Sequence, residues 1–128
     1  MADIVICDDE PHITRAVEVK LKRAGHSVRA GFNGAEALAF VRERRPDMII
    51  TDCQMPVMTG IQLCQALRAD AQLAGVPVLM VTAKGLEICE DDLRRQLGVS
   101  RLLFKPFSPR QLVEAVEEHL MPAVAAAS

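Results

Sequence analysis

The sequence predicts an α/β domain in which helices cover both faces of a doubly wound, five-stranded parallel sheet. Apolar runs alternate five times with segments of helical period, the order typical of consecutive β–α units. Residues 76–83 are the most continuously apolar run, which favours a central strand buried on both sides. Right-handed crossovers leave a doubly wound topology as the main solution. The 128 residues suffice for one domain, predicted over 1–121 with a short, frayed tail over 122–128.

Local signals define the individual elements. Pro11 opens the first helix and Gly25 ends it. Asn33 starts the second helix with Glu36 three residues later, as in a capping box, and Ser108 caps the fifth helix. The strands are predicted over 3–7, 26–31, 46–52, 76–83 and 101–106, and the helices over 11–25, 33–45, 59–70, 86–98 and 108–120.

Composition and charge narrow the functional classes. Half of the residues are apolar and a quarter are charged, which is typical of a globular protein. The formal net charge of −2 disfavours nucleic acid as a direct partner, because phosphate binding needs a basic face. No run approaches the ~20 apolar residues of a membrane span, and no signal peptide opens the chain. We therefore expect a cytoplasmic location and no membrane partner.

The cysteine pattern also favours a cytoplasmic location. Cys7, Cys53, Cys64 and Cys89 form no CxxC pair and lie in apolar runs or predicted helices. This pattern favours reduced, buried thiols of a cytoplasmic protein and disfavours a zinc site.

Polar side chains follow four of the five predicted strands. The carboxyl ends of parallel strands meet at one edge of the sheet, where doubly wound folds bind ligands. Carboxylates gathered there would repel one another without a cation, and a few hard oxygen ligands suit Mg²⁺. The residues are Asp8, Asp9 and Glu10 after the first strand, Asp52 after the third, Thr82 in the fourth and Lys105 in the fifth.

The acidic run from Asp8 to Glu10, taken alone, has a simpler explanation. Acids favour helix N-termini, and this run directly precedes the first helix. The polar residues at the other strand ends favour the metal site for Asp8 and Asp9. Glu10 is expected to keep the capping role.

This set of residues resembles the receiver domain of two-component response regulators, over about residues 2–120. The matching motifs are DDEP after strand one, DCQMPVMTG after strand three, VTA ending strand four and KPF ending strand five. The spacings agree: 43 residues from Asp9 to Asp52, 30 from Asp52 to Thr82 and 23 from Thr82 to Lys105. Each motif is weak by itself, but four in this order are specific. The resemblance implies the strand order 2-1-3-4-5.

The resemblance also implies roles for the matching residues. Asp52 would be the phosphoryl acceptor, Thr82 would hydrogen-bond the phosphoryl group, and Lys105 would pair first with Asp52 and then with a phosphoryl oxygen. Phosphoryl transfer needs mainly positioning and charge neutralisation, which Mg²⁺ and a lysine supply. The implied Mg²⁺ ligands are Asp8, Asp9, Asp52 and the main-chain carbonyl of Gln54.

Three further residues have structural roles by the same resemblance. Pro56 and Gly60 fit a tight loop that leads into the third helix. Pro106 is similar to the cis-proline that aims the receiver lysine inward.

The expected relay from the site to the surface uses Thr82 and Leu102. Receivers often carry an aromatic residue at the position of Leu102, so we expect weaker coupling here. Gln54 and Lys84 flank the predicted pocket and bear on the lifetime of the phosphate. The expected output face combines the fourth helix, the fifth strand and the fifth helix, with Arg94, Arg95 and Arg101 exposed on it.

The resemblance implies a stand-alone signalling domain and not a turnover enzyme. Its donor would be a sensor histidine kinase or a histidine phosphotransfer protein, and its target a downstream protein. Two alternatives stay open: a degenerate receiver that binds partners without phosphorylation, and an aspartyl-phosphate phosphatase of the haloacid-dehalogenase type. Gln54 disfavours the phosphatase, which needs an acid two residues after its nucleophile.

Overall fold

A computed structural model of the chain describes residues 2–53, 57–83, 95, 97–105 and 107–127. Within these residues, five parallel strands form one sheet in the order β2-β1-β3-β4-β5, which confirms the predicted fold class and strand order. The strands are β1 (Asp3–Cys7), β2 (Ser27–Gly31), β3 (Met48–Asp52), β4 (Val78–Ala83) and β5 (Val99–Lys105). The described helices are α1 (Pro11–Arg23), α2 (Gly34–Glu43), α3 (Gly60–Ala69) and the C-terminal helix α4 (Pro109–Ala127).

Two apolar layers hold the helices against the sheet. Successive side chains of a strand point to opposite faces, so Val5 and Cys7 pack with α2 and α3, while Ile4 and Ile6 pack with α1 and α4. Every residue of β3 is buried. Polar groups at the carboxyl ends of the strands therefore lie at the edge of these two buried apolar layers.

The strand register brings the predicted site residues to one edge. Cys7 of β1 is paired with Thr51 of β3, so these two strands end nearly level. On the other side of β3, Asp52 is paired with Val81, and Ala83 of β4 is paired with Lys105 of β5. The carboxyl ends of β1, β3, β4 and β5 consequently open onto the same space.

Side-chain caps fix where the helices begin. The Asn33 side chain accepts a hydrogen bond from the Glu36 amide at 2.9 Å, and the Ser108 hydroxyl accepts one from the amide three residues on at 3.1 Å, as predicted. A capping box at α3 was not anticipated. There Thr59 accepts from the Gln62 amide at 3.1 Å and the Gln62 side chain accepts from the Thr59 amide at 2.9 Å.

Several boundaries differ from the sequence expectations. β4 begins at Val78, and β5 begins at Val99, two residues before the expected start. α4 continues to Ala127, so residues expected to fray are helical. The predicted domain bounds remain a prediction. Of the helix predicted over 86–98, only Arg95, Leu97 and Gly98 are described, and the rest lies outside the described residues.

None of the described helices is both long enough and apolar enough to cross a membrane.

Candidate functional site

The ends of β1 and β3 bring four carboxylates together. Asp8, Asp9 and Glu10 follow β1, and Asp52 is the last residue of β3. One oxygen from each of these four acids lies within 4.8 Å of the others. Asp8 and Asp52 are nearly buried, whereas Asp9 is exposed. The edge predicted from the sequence therefore holds an acidic pocket.

Lys105 places a positive charge in this pocket. Its Nζ lies 2.7 Å from Glu10 Oε1, 3.0 Å from Asp52 Oδ2 and 3.2 Å from Asp8 Oδ2. Burial alone would lower the pKa of Lys105, but the hydrogen bonds to Glu10 and Asp52 and the charge of Asp8 raise it above its ordinary value. The ammonium stays charged, and one such charge cannot neutralise four carboxylates.

The ionised form of Asp8 is disfavoured by its surroundings. Burial raises the pKa of Asp8 from 3.8 to about 6, and the charge of Asp52 adds to the rise. A hydrogen bond from the Glu10 amide to Asp8 Oδ1, at 2.9 Å, acts in the opposite direction. The Thr14 hydroxyl donates to the Asp8 carbonyl at 3.2 Å and ties the strand end to α1.

The main chain around Asp52 is held by a close approach to Gly60. A Cβ atom on Gly60 would overlap the Asp52 carbonyl oxygen, so only glycine fits at the start of α3. The Gly60 amide donates to the Cys53 carbonyl at 3.0 Å, and the Cys53 amide donates to the Val81 carbonyl at 2.7 Å. These contacts fix the end of β3 against both α3 and β4.

Thr82 has a hydroxyl that is available for a new partner. The residue is fully buried near the carboxyl end of β4. Its Oγ1 has no hydrogen-bond partner of ordinary geometry among the described residues. Burying a hydroxyl without a partner is costly, so an acceptor brought to this end of β4 would stabilise it.

The thiols next to the site are not reactive in this environment. Burial raises the pKa of Cys7 and Cys64 to about 12. Burial also raises the pKa of Cys53, with a further rise from the Asp52 charge and an opposing effect of the Thr82 hydroxyl. These three cysteines, the ones within the described part of the chain, are buried and form no disulfide with one another. They remain neutral thiols at physiological pH.

The acidic pocket fits a hard divalent cation. Its donor atoms are carboxylate oxygens, the ligand type that Mg²⁺ prefers. Asp9 is exposed, which leaves room for the waters that Mg²⁺ retains. Burial, together with the charge of Asp52, raises the pKa of Asp8, and a dication bound beside both acids would stabilise their ionised forms. The ligands would be Asp8, Asp9 and Asp52, joined by the predicted carbonyl of Gln54, which lies outside the described residues.

A first prediction concerns Asp8→Asn. The folded state holds the Asp8 proton more tightly than the unfolded chain does, so the ionised carboxylate lowers the free energy of unfolding. This loss of stability is complete above about pH 6. It disappears as the pH falls toward 3.8, where the carboxyl group is protonated in both states. Without metal at pH 7.5 the variant should be more stable by about 1 to 2 kcal/mol. The gain should shrink steadily below pH 6.

Thermal unfolding with and without Mg²⁺ measures this. Saturating Mg²⁺ should stabilise the wild type much more than the variant, because a ligand that binds only the folded state raises its stability. A metal-free variant less stable than the wild type at pH 7.5 would contradict the account of Asp8.

Some predicted site residues cannot be placed. Gln54, Pro56, Lys84, Arg94 and Pro106 lie outside the described residues, so their expected roles remain predictions. Leu102 is described and is 5% exposed. It pairs with Met80 of β4 and packs in the layer under α2 and α3.

The capping role expected of Glu10 is confirmed in its position but not in its side chain. Glu10 is the N-cap residue of α1 by position, and its carbonyl accepts from the Thr14 amide at 3.1 Å. Its carboxylate makes no capping hydrogen bond and binds Lys105 instead. Acids favour helix starts, but here the fold brings Lys105 close to Glu10, and the carboxylate binds the lysine instead. Sequence spacing alone does not reveal this contact.

Val57 is a second feature that the sequence did not indicate. It has φ of 68° and is 82% exposed in the segment between β3 and α3. A β-branched residue in the left-handed region is strained, and glycine or asparagine is the usual occupant. Position 57 carries neither glycine nor asparagine, so its residue type did not indicate a left-handed backbone.

Comparison with known proteins identifies the family. Residues 4–117 match the model of the response regulator receiver domain. The chain belongs to the response regulator receiver family. Receiver domains interact with histidine kinases and downstream effectors, generally bind Mg²⁺ at an acidic pocket, and are not turnover enzymes of the usual kind. The family predicted from the motifs is confirmed.

Relatives of this receiver include longer regulators. It is 36% identical over 117 residues to the DNA-binding response regulator MtrA of Mycolicibacterium smegmatis, an alignment covering 91% of the receiver and 50% of MtrA. It is 35% identical over 120 residues to the probable transcriptional regulator ycf27 of Porphyra purpurea, covering 94% of the receiver and 48% of that protein. The receiver thus spans about half the length of the curated relatives it matches.

Solved structures give the same family. The chemotaxis response regulator CheY4 of Vibrio cholerae superposes with a TM-score of 0.83 at 34% identity, covering 92% of this receiver and 98% of that chain. A signal receiver domain of a histidine kinase from Syntrophus aciditrophicus superposes with a TM-score of 0.82 at 30% identity, covering 95% and 92%.

Proposed function

We propose that this receiver accepts a phosphoryl group on Asp52 from a histidine kinase or a histidine phosphotransfer protein, with Mg²⁺ bound. The phosphorylated domain would then bind a downstream protein differently. The observation that carries the proposal is the nearly buried Asp52 carboxylate, 3.0 Å from the Lys105 ammonium and beside a cluster of acids. We place the exchange in the cytoplasm, in keeping with the buried, reduced thiols of the three described cysteines.

Three side chains of the receiver take part in the transfer step. An Asp52 carboxylate oxygen attacks the phosphorus of a phosphohistidine, the P–N bond breaks, and its electron pair stays with the imidazole nitrogen. Bound Mg²⁺ supplies charge neutralisation for the phosphoryl oxygens. Lys105 exchanges its contact with Asp52 Oδ2 for a phosphoryl oxygen, and the Thr82 hydroxyl donates to another.

The same step supplies a route for a signal. Thr82 would turn its hydroxyl, which has no hydrogen-bond partner of ordinary geometry among the described residues, toward the phosphoryl group. This turn would change the packing between β4 and the residues beyond it. Leu102 is smaller than the aromatic residue common at this position and has no hydroxyl, so it should discriminate the two states weakly. We place the coupling at the low end of ~1 to 3 kcal/mol.

The proposed output face includes β5 and α4. Among its described residues, Arg95 is exposed, and Arg101 pairs with Glu118 across β5 and α4 at 2.7 Å. Phe104 is 44% exposed on the same edge strand. An apolar ring beside charged groups suits a protein partner, and the net charge of −2 gives no support to direct binding of nucleic acid.

Incubation with acetyl phosphate and Mg²⁺ separates the competing functions. A receiver should acquire one acid-labile, hydroxylamine-sensitive phosphoryl group that persists long enough to isolate. Rapid turnover of organic phosphates would indicate the phosphatase instead, and Gln54 in place of an acid speaks against that outcome. Absence of any label, also with a panel of histidine kinases, would indicate the degenerate receiver.

A further inference from the structure

Glu10 makes the shortest contact to the Lys105 ammonium. Its Oε1 lies 2.7 Å from Nζ, compared with 3.0 Å for Asp52 and 3.2 Å for Asp8. The Glu10 side chain is 42% exposed, whereas those of Asp8 and Asp52 are at most 8% exposed. Glu10 therefore holds the ammonium from the solvent side of the pocket, and the two buried acids hold it from within.

Lys105 and a divalent cation compete for the buried acids. Asp8 and Asp52 contact Lys105 directly, and both are predicted ligands of Mg²⁺. A dication bound to them would take up their negative charge and repel the neighbouring ammonium. A lysine with a flexible stem and a strongly hydrated head could then turn outward to water. Glu10 is the acid in the cluster that the predicted ligand set leaves to Lys105.

We propose that Glu10 is a positioning residue that keeps the Lys105 ammonium at the pocket when Mg²⁺ occupies Asp8, Asp9 and Asp52. Its purpose rests on the proposed function, because Lys105 must be within reach of a phosphoryl oxygen when Asp52 attacks. The burial of the acids matches these two roles. The buried Asp8 and Asp52 would bind the metal, and the partly exposed Glu10 would bind the lysine.

The direct test follows the Lys105 ammonium by NMR, using its ¹⁵Nζ resonance in wild type and Glu10→Gln, titrated with Mg²⁺ alone. Without metal, both proteins should show a slowly exchanging Lys105 ammonium, since Asp8 and Asp52 still hold it. With saturating Mg²⁺, the signal should persist in wild type and vanish into water exchange in Glu10→Gln. Identical behaviour of the two proteins with Mg²⁺, or loss of the signal in both, would overturn the proposal.

Glu18→Gln is the matched control. Glu18 forms a similar 2.7 Å pair with Lys22 on the surface of α1, away from the pocket. Removing that charge should leave the Lys105 signal unchanged with and without Mg²⁺. A similar loss in both variants would mean that charge on α1 as a whole, and not the Glu10 contact, holds the lysine.

Two further readouts distinguish positioning from metal ligation. Mg²⁺ affinity of Glu10→Gln should fall less than about tenfold, the smallest loss usual for an altered metal shell. Its phosphorylation by acetyl phosphate at saturating Mg²⁺ should be about fivefold slower, because the lysine is no longer held in place. A larger loss of affinity would make Glu10 part of the metal site, as a ligand or as support for one, and would refute the positioning role.

Failure of the proposed function would look different. A wild-type protein that takes up no phosphoryl group would sink the proposed function, while the NMR titration would still decide whether Glu10 retains Lys105. A wild-type protein that is phosphorylated normally, with Glu10→Gln indistinguishable from it in every readout, would sink the inference about Glu10 alone.

Discussion

Asp52→Asn is expected to abolish phosphorylation from acetyl phosphate or a kinase while leaving the fold intact. The amide has nearly the shape of the carboxylate, and its oxygen still accepts a hydrogen bond from Lys105, which lies 3.0 Å from Asp52 in the wild type. An amide oxygen is not a comparable nucleophile, so the label should fall to background. Intact-mass spectrometry after incubation with the donor measures the label directly.

The matched control for Asp52→Asn is Asp70→Asn. Asp70 follows α3 and accepts a hydrogen bond from the Gln72 amide at 2.9 Å, a role that asparagine can keep. This control removes one carboxylate far from the pocket and should be phosphorylated at the wild-type rate. Wild-type labelling of Asp52→Asn would refute the acceptor assignment.

Gly60→Ala is expected to cost more stability than any other substitution considered for this receiver. The added methyl group would overlap the Asp52 carbonyl oxygen, and this contact is with backbone, which cannot turn aside. A penalty of at least about 3 kcal/mol is expected, which is a large part of the stability of a small domain. Chemical denaturation should show a lower midpoint, and any folded fraction should be phosphorylated slowly because the end of β3 is displaced.

Gly75→Ala provides the comparison for Gly60→Ala. At Gly75 a Cβ atom would meet, among the described residues, just the end of the flexible Arg45 side chain, at 3.3 Å. That side chain can move, so the loss should stay below about 1 kcal/mol. Equal losses for the two variants would show that the close approach at Gly60 is not what requires glycine there.

The fold was predictable because each level of the sequence pointed to the same answer. Apolar runs of strand length, helix caps such as Asn33 and Ser108, and the glycine at the end of α1 all agreed with a doubly wound sheet. Element ends were less predictable. β5 begins at Val99, earlier than the run of large apolar residues suggested, because a register shift at Val78 and Leu79 lets it pair with β4 from its first residue.

The meeting of the acids with Lys105 was predictable from the sequence, but not all of the contacts among them were. Asp8, Asp52 and Lys105 meet because parallel strands end at one edge, and the chain order of the motifs specifies which strands. The partner of Glu10 depends on how far the Lys105 side chain reaches across the pocket, which no local pattern encodes. The strained Val57 also escaped prediction, since the turn there is imposed by its surroundings against the residue's own preference.

Asp52 is the proposed carrier of the phosphoryl group. Borohydride reduction of the phosphorylated protein, followed by peptide mass mapping, tests it most directly, because an aspartyl phosphate is reduced to homoserine at the modified position. Homoserine is expected at position 52 when both Mg²⁺ and acetyl phosphate are present, and not when either is omitted. Homoserine at position 8 or 9, or an unreduced label on another type of residue, would contradict it.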